Sequence, residues 1–183
     1  MRRESGGPKS DAVPFMERAF EFHQTGQVEY ATAQYLSALE IDPGHAPAHN
    51  NLAVALMELG RIDEAISHLG KALKINPKYT EAHSNLGDAL MEMGNASGAI
   101  DAYERALKNN PEDPDVLSSL GSALASQGRR GDAVKRIRSA LDLTPNDPVL
   151  LCNLAIVLDG QDRLAESRSA FEAALAEGGS DPK

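Results

Sequence analysis

The 183-residue chain lacks the features that mark several protein classes. It has a single cysteine, Cys152, so no disulfide can form within it, which favours a reducing compartment. Tryptophan is absent, and aromatic residues make up only 4% of the chain. The basic start is followed by no apolar segment of the kind found in secretory signals, and no apolar run is long enough to span a bilayer. These absences favour a cytoplasmic protein.

Positive charges are outnumbered by negative ones. The formal net charge is −9 and the pI is near 5.0, which argues against nucleic acid as a main partner. No glycine-rich loop suited to phosphate binding is present, and the five histidines show no metal-ligand spacing. Cys152 has no periodic histidine partner to activate it. The sequence therefore predicts no catalytic activity, no cofactor and no metal.

What the chain does contain is a period of 34 residues. The period relates four prolines, five alanines and four glycines: Pro43, Pro77, Pro111 and Pro145; Ala38, Ala72, Ala106, Ala140 and Ala174; Gly26, Gly60, Gly94 and Gly128. A fixed period of this length indicates a repeat array. We number each repeat 1 to 34 and predict five repeats, at residues 12–45, 46–79, 80–113, 114–147 and 148–181.

Each repeat is predicted to form two helices, A and B, because apolar residues recur at helical spacing in both halves. Positions 8 and 20 carry small residues, which allow the two helices to approach closely. Glycine at position 15 ends helix A in the left-handed conformation, although the fifth repeat has Asp162 there. Proline at position 32 ends helix B, and Asp113-Pro114 and Asp147-Pro148 begin the next helix A as a cap followed by the first helical residue.

These residues resemble the tetratricopeptide repeat (TPR). The closest stretches are AHNNLAVALMELGRIDEAISHLGKALKINP at 48–77 and AHSNLGDALMEMGNASGAIDAYERALKNNP at 82–111. The resemblance implies an all-α fold, a right-handed α-solenoid of five helix-turn-helix repeats spanning 12–181 as one array. Residues 1–11 are then a flexible leader, and 177–183 a frayed end. For function it implies a protein-interaction module.

The first and last repeats carry polar residues where the others are apolar. Arg18 stands in the row of Leu52, Leu86, Leu120 and Leu154, and Arg168 in the row of Thr32, Ile66, Ile100 and Val134. Terminal repeats need such polar outer faces, so we interpret both as partial caps of a complete array. Phe171 and Leu175 nevertheless leave an apolar edge on the fifth repeat, through which two copies of the chain are predicted to associate.

The family architecture implies that the A helices line a concave groove, with position 6 facing into it. That row comprises Glu17, Asn51, Asn85, Ser119 and Asn153. It resembles the asparagine ladder of the O-linked N-acetylglucosamine transferase repeats, which implies a grip on peptide backbone, since an amide both donates and accepts hydrogen bonds. The alternative is that these amides are solvated residues on an exposed helix face.

Apolar and acidic residues flank this row. They are Phe20, Val54 and Ile156 at position 9, Met57 and Met91 at position 12, and the carboxylates Glu58, Asp88 and Glu92. Methionine adapts to varied partners. The alternative is that several of these side chains, Val54 and Ile156 above all, contact the neighbouring repeat instead. As a binding surface, the mixture predicts an extended peptide that is apolar with basic residues. Position 2 has no lysine or arginine, so a clamp for a chaperone's C-terminal carboxylate is not expected.

The leading hypothesis is therefore a non-catalytic scaffold or adaptor that binds an extended peptide in the groove. Two alternatives remain open at this point. One is the substrate-recognition region of a larger enzyme, of the glycosyltransferase or sulfotransferase type. The other is a self-assembling scaffold joined through the edge of the fifth repeat.

Overall fold

A computed structural model describes residues 11–178 of the chain. Apart from Asp11, the predicted leader 1–11 lies outside the described residues, as does the predicted frayed end after Gly178. The described part consists of ten α-helices with no strand, which confirms the predicted all-α fold.

The helices fall into two compact units, one ending at Met93 and the other beginning at Gly94. The first unit holds five helices: α1 Val13–Gln24, α2 Val28–Ile41, α3 Ala46–Glu58, α4 Ile62–Ile75 and α5 Thr80–Glu92. The second holds the other five: α6 Ala96–Asn109, α7 Pro114–Ser126, α8 Arg130–Leu143, α9 Pro148–Asp159 and α10 Leu164–Gly178. Odd-numbered helices are the predicted A helices and even-numbered helices the B helices. The third repeat is divided between the units, because the boundary falls in the turn after α5.

Every helix A ends in the way that the sequence predicts. The glycines at position 15 have positive φ angles of 72°, 70°, 73° and 75° at Gly26, Gly60, Gly94 and Gly128. Asp162 takes the same left-handed conformation, with a φ of 59°, although it is not glycine. Aspartate tolerates this region better than most residues because its short polar side chain bonds locally. The fifth repeat therefore keeps the turn geometry without its glycine.

The starts of α7 and α9 are capped by side chains. The carboxylate of Asp113 accepts a hydrogen bond from the Val116 amide, and that of Asp147 accepts from the Val149 and Leu150 amides. These bonds satisfy amides that have no partner within the helix. The predicted caps before α7 and α9 are thus confirmed.

In the first unit, alanines lie between the paired helices and allow them to pack closely. Ala19 and Ala53 at position 8, with Ala31 and Ala65 at position 20, are all completely buried. Larger side chains at position 24, such as Tyr35 and Leu69, fill the space beside them and are also buried. The two sizes of side chain interlock so that α1 packs on α2 and α3 on α4.

In the second unit, glycine brings α7 and α8 into still closer contact. A Cβ atom added to Gly121 would lie 2.6 Å from Ile137 Cγ1 and 3.3 Å from the carbonyl oxygen of Ala133. Ile137 is completely buried, so it has little room to move aside. The helix crossing therefore requires the absence of a side chain at this position.

The last helix presents the apolar edge that the sequence predicts. Leu164 and Leu175 of α10 are 62% and 75% exposed, and Phe171 is 39% exposed. They line an open hollow of 720 Å³, which Arg168 and Glu172 also border. Self-association through this edge stays a prediction.

None of the described helices combines the length and the apolar character needed to cross a membrane.

We expect Gly121→Ala to destabilise the chain, because the added methyl group overlaps the Ile137 side chain. Overpacking of this kind costs about 1–3 kcal/mol, of which the higher helix propensity of alanine returns up to about 1 kcal/mol. Gly70→Ala in α4 is the matched control, since an added Cβ there meets no atom within 4 Å. It should raise the free energy of unfolding by about 0.4–1 kcal/mol. Urea unfolding followed by circular dichroism measures the free energy of unfolding of both variants. Equal changes in Gly121→Ala and Gly70→Ala would contradict the close crossing of α7 and α8.

Candidate functional site

The position-6 row lies where successive A helices meet within each unit. Helix α3 contacts α5 in the first unit, and α7 contacts α9 in the second. Asn51, Asn85, Ser119 and Asn153 are all half-buried at these contacts. The side chains are thus neither fully solvated nor enclosed in the core.

In the first unit, three amides form a chain of hydrogen bonds. Asn85 Nδ2 on α5 donates to Asn50 Oδ1 on α3 over 2.9 Å, and Asn50 Nδ2 donates to Asn51 Oδ1 over 3.2 Å. Asn50 is only 3% exposed, so its amide depends on these partners. Asn51 also lies beside the hydroxyl group of Tyr35 on α2; burial of that phenol raises its pKa and outweighs the lowering effect of Asn51. The hydrogen-bonded amides therefore join α3 and α5.

The second unit repeats the bond between A helices. Asn153 Nδ2 on α9 donates to Ser118 Oγ on α7 over 3.0 Å. As in the first unit, the position-6 residue bonds to position 5 of the preceding repeat, 35 residues earlier. The position-5 residues were not predicted from the sequence. Their signal is a polar run at that position, with asparagine or serine at Asn50, Ser84 and Ser118.

The apolar residues beside the row differ in exposure. Phe20 on α1 and Ile156 on α9 are 56% and 61% exposed, so both present most of their surface to solvent. Val54 is half-buried on α3, and Met57 is half-buried against the core of the first unit. Met91 on α5 is also half-buried. Phe20 and Ile156 are thus the most accessible of the five.

The predicted carboxylates also have different surroundings. Glu58 Oε1 lies 2.9 Å from His23 Nε2, which joins α3 to α1 at the same spacing of 35 residues. Asp88 is half-buried, and Glu92 at the end of α5 is exposed. A cationic group in a partner would therefore reach Glu92 most readily.

Two histidines at position 4 connect successive repeats within the first unit. His49 and His83 are 6% and 5% exposed, and their Nε2 atoms lie 3.2 Å and 2.9 Å from the carbonyl oxygens of Pro43 and Pro77. This burial fits a packing role for both side chains. Each also donates to the proline that ends the preceding helix B.

Besides the Pro43 carbonyl, His49 has an imidazole partner, His68 on α4. Its Nδ1 atom lies 2.9 Å from His68 Nδ1, and the rings are tilted by 40°. Because the Pro43 carbonyl only accepts, His49 carries its proton on Nε2, and its Nδ1 then accepts from the Nδ1–H of His68. Burial lowers the pKa of His49, and burial together with Lys71 lowers the pKa of His68 to about 4. The pair is therefore neutral at physiological pH.

Cys152 is half-buried on α9. Among residues 11–178, no three histidine, cysteine or acidic side chains cluster in a way that suits a metal ion.

We expect Asn85→Ala to lower the free energy of unfolding by about 1–3 kcal/mol, because it leaves the buried oxygen of Asn50 without its donor. Ser119→Ala is the matched control at the same repeat position, since the Ser119 hydroxyl bonds to no other described residue. Ser119→Ala should change the free energy of unfolding by less than about 0.5 kcal/mol. Thermal and urea unfolding of both variants test this prediction. Equal losses of stability in the two variants would mean that the hydrogen bond between Asn85 and Asn50 contributes no stability.

We expect the histidine pair to make stability depend on pH. In the unfolded chain His68 titrates near its ordinary pKa of 6.5, whereas in the folded chain the pKa is about 4. Between these values the unfolded chain binds more protons, so the stability gained from the neutral form is complete above about pH 6.5 and is lost as the pH falls towards 4. The loss is up to about 3 kcal/mol. Wild type and His68→Gln should be unfolded in urea across this range; a slope unchanged by the substitution would refute the assignment.

Three of the many solved structures that are similar to this chain match it over almost its whole length. MamA of Desulfovibrio magneticus RS-1, from residue 41 to its end, has a TM-score of 0.86 and 18% identity, with 94% of this chain and 97% of that one covered. PilF of Pseudomonas aeruginosa has a TM-score of 0.84 and 24% identity, with coverage of 96% and 80%. YrrB, described as a TPR protein with an unusual peptide-binding site, has a TM-score of 0.76 and 21% identity, with coverage of 94% and 89%. At these identities the likeness concerns the fold alone.

Sequence comparison identifies the family. A search of curated proteins gives no match. Three family models described as tetratricopeptide repeat match residues 34–67, 60–123 and 126–182, which together make up most of the chain. Their agreement with the repeat geometry of both units leads to one conclusion. The chain belongs to the tetratricopeptide repeat family.

Proposed function

We propose that this protein is a non-catalytic interaction scaffold that binds an extended peptide segment along its A helices. In the first unit the binding strip lies on α1, α3 and α5, and in the second on α7 and α9. The observation that carries the proposal is the hydrogen-bonded amide row, because it holds polar groups in fixed positions next to accessible apolar side chains.

The amides keep hydrogen-bonding capacity after they have joined the helices. Asn85 and Asn153 each use one N–H bond towards the preceding A helix. Each retains its carbonyl oxygen and a second N–H, which no other described residue engages. These groups suit the alternating donors and acceptors of an extended main chain. The interhelical bonds limit rotation of the amides, which lowers the entropy lost on binding.

The flanking residues favour an apolar segment with basic side chains. Phe20 and Ile156 offer exposed apolar surface, and Met57 and Met91 offer adaptable contacts at the edge of the strip. Glu92 is an accessible carboxylate. A reducing, cytoplasmic compartment, inferred from the single cysteine, is part of the same proposal, and the likeness to the O-linked N-acetylglucosamine transferase ladder remains a prediction.

The proposal is tested with arrays of extended peptides in which apolar residues alternate with lysine and arginine, or with aspartate and glutamate. The basic set should bind, and Phe20→Ala should weaken it because an exposed contact is removed without disturbing the core. Glu92→Lys should weaken the basic peptides about tenfold, since it replaces an attraction by a repulsion. Fluorescence anisotropy gives the dissociation constants.

Glu29→Lys is the matched control for Glu92→Lys, because Glu29 is an exposed carboxylate on α2, a B helix. It changes the net charge equally but should leave peptide affinity unchanged. Equal losses in the two variants would reduce the effect to overall charge. Unaltered peptide affinity in both variants, Phe20→Ala and Glu92→Lys, would refute peptide binding along the A-helix strip.

A further inference from the structure

A second surface of the first unit has the form of a ligand pocket. It has a volume of 540 Å³ and lies between the B helices α2 and α4, with the start of α3 as its floor. The main chains of the A helices α3 and α5 contact each other, whereas those of α2 and α4 lie farther apart, which leaves this space between them. Leu36, Leu39 and Ile75 form apolar walls, and Leu36 and Ile75 are each more than two-fifths exposed. A pocket of this size accommodates a small molecule.

The charged residues at the pocket are mainly cationic. Lys71 and Lys74 line it from α4, and Glu40 lines it from α2. Neither lysine forms an ion pair with any described residue. The local balance is therefore positive on a protein whose net charge is −9. The histidine pair, His49 and His68, also borders the pocket but adds no charge near neutral pH.

The B-helix surfaces of the second unit lack this combination. In α10 the residues corresponding to Lys71 and Lys74 are alanines, and an ion pair between Arg138 and Glu166 crosses from α8 to α10 over 2.9 Å. The hollow beside α6 and α8 contains basic residues, but Asp132 pairs with Arg129 and Lys135 there. Free lysines beside an apolar wall thus distinguish the first unit.

We propose that the pocket between α2 and α4 binds a small organic anion with an apolar body, of the medium-chain or aromatic carboxylate class. The apolar body lies against Leu36, Leu39 and Ile75, and the carboxylate pairs with Lys71 and Lys74. Burial of the apolar body supplies most of the affinity, and the two ammonium groups select for negative charge. This site is separate from the A-helix strip and does not depend on peptide binding there.

The test uses decanoate as the probe and decan-1-ol as its uncharged counterpart, titrated into the isotopically labelled full chain. NMR shift changes should concentrate on the methyl groups of Leu36, Leu39 and Ile75 and on the His68 ring. Decanoate should bind about tenfold more tightly than the alcohol, as expected for a charge-assisted contact. Shift changes centred on the exposed apolar face of α10, an equal affinity for the alcohol, or no binding would each overturn the proposal.

Two variants separate the lysines from a general charge effect. Lys71→Ala combined with Lys74→Ala should remove the preference for decanoate while leaving decan-1-ol binding unchanged. Both lysines are exposed and unpaired, so their loss should cost little stability. Lys108→Ala is the control, because Lys108 occupies on α6 the repeat position that Lys74 occupies on α4. An equal loss of preference in the control would refute a role for Lys71 and Lys74.

Discussion

The close crossing of helix A and helix B is the constraint on which the rest of the structure depends. It is made possible by side chains no larger than a methyl group, completely buried, at positions such as Ala53, Ala65 and Ala133. At Gly121 even a methyl group is excluded by Ile137 and the main chain of Ala133. Once the helices of a pair are this close, the larger side chains at position 24 can pack only in the space beside the small residues. The candidate sites therefore lie on surfaces whose spacing is set by the core.

Polar contacts between repeats follow a different register from the core. The core repeats every 34 residues, whereas the bonds between successive A helices join residues 35 apart, as in Asn50 with Asn85, Ser118 with Asn153 and His23 with Glu58. The offset of one residue arises because neighbouring A helices meet side by side, so a side chain faces the adjacent position of its neighbour rather than its own equivalent. A row of residues identified only by the 34-residue period therefore contains one member of each hydrogen-bonded pair and omits the other.

Much of the fold follows from the sequence because the determining residues act locally. A left-handed turn at position 15 and a proline after helix B each fix one helix end through the backbone, and an aspartate before helix A does so through its side-chain carboxylate. Asp162 shows that the position matters more than the residue type, since it adopts the glycine conformation.

The candidate surfaces were harder to predict from the sequence. The position-6 row is visible in the sequence, but its bonds to Asn50 and Ser118 depend on how adjacent A helices pack. The contact between His49 and His68 joins residues 19 apart that have no shared period. The pocket beside them combines residues from three helices, and its open space lies where α2 and α4 are farther apart than the A helices. Neither feature has a motif, because both depend on distances between helices rather than on order along the chain.

The two proposed sites of the first unit use different sides of the same helix pairs. The A-helix strip is carried by α1, α3 and α5, and the pocket mainly by α2 and α4; they have no residue in common. Helix α2 nevertheless borders both sites, because Tyr35 lies beside Asn51 on one side while Leu36 and Leu39 line the pocket on the other. Since Tyr35 is buried and Leu36 is exposed, a ligand in the pocket contacts α2 without displacing the side chain that supports the amide row. The geometry thus allows a peptide and a small anion to bind at the same time, and each proposal stands or fails by its own contacts.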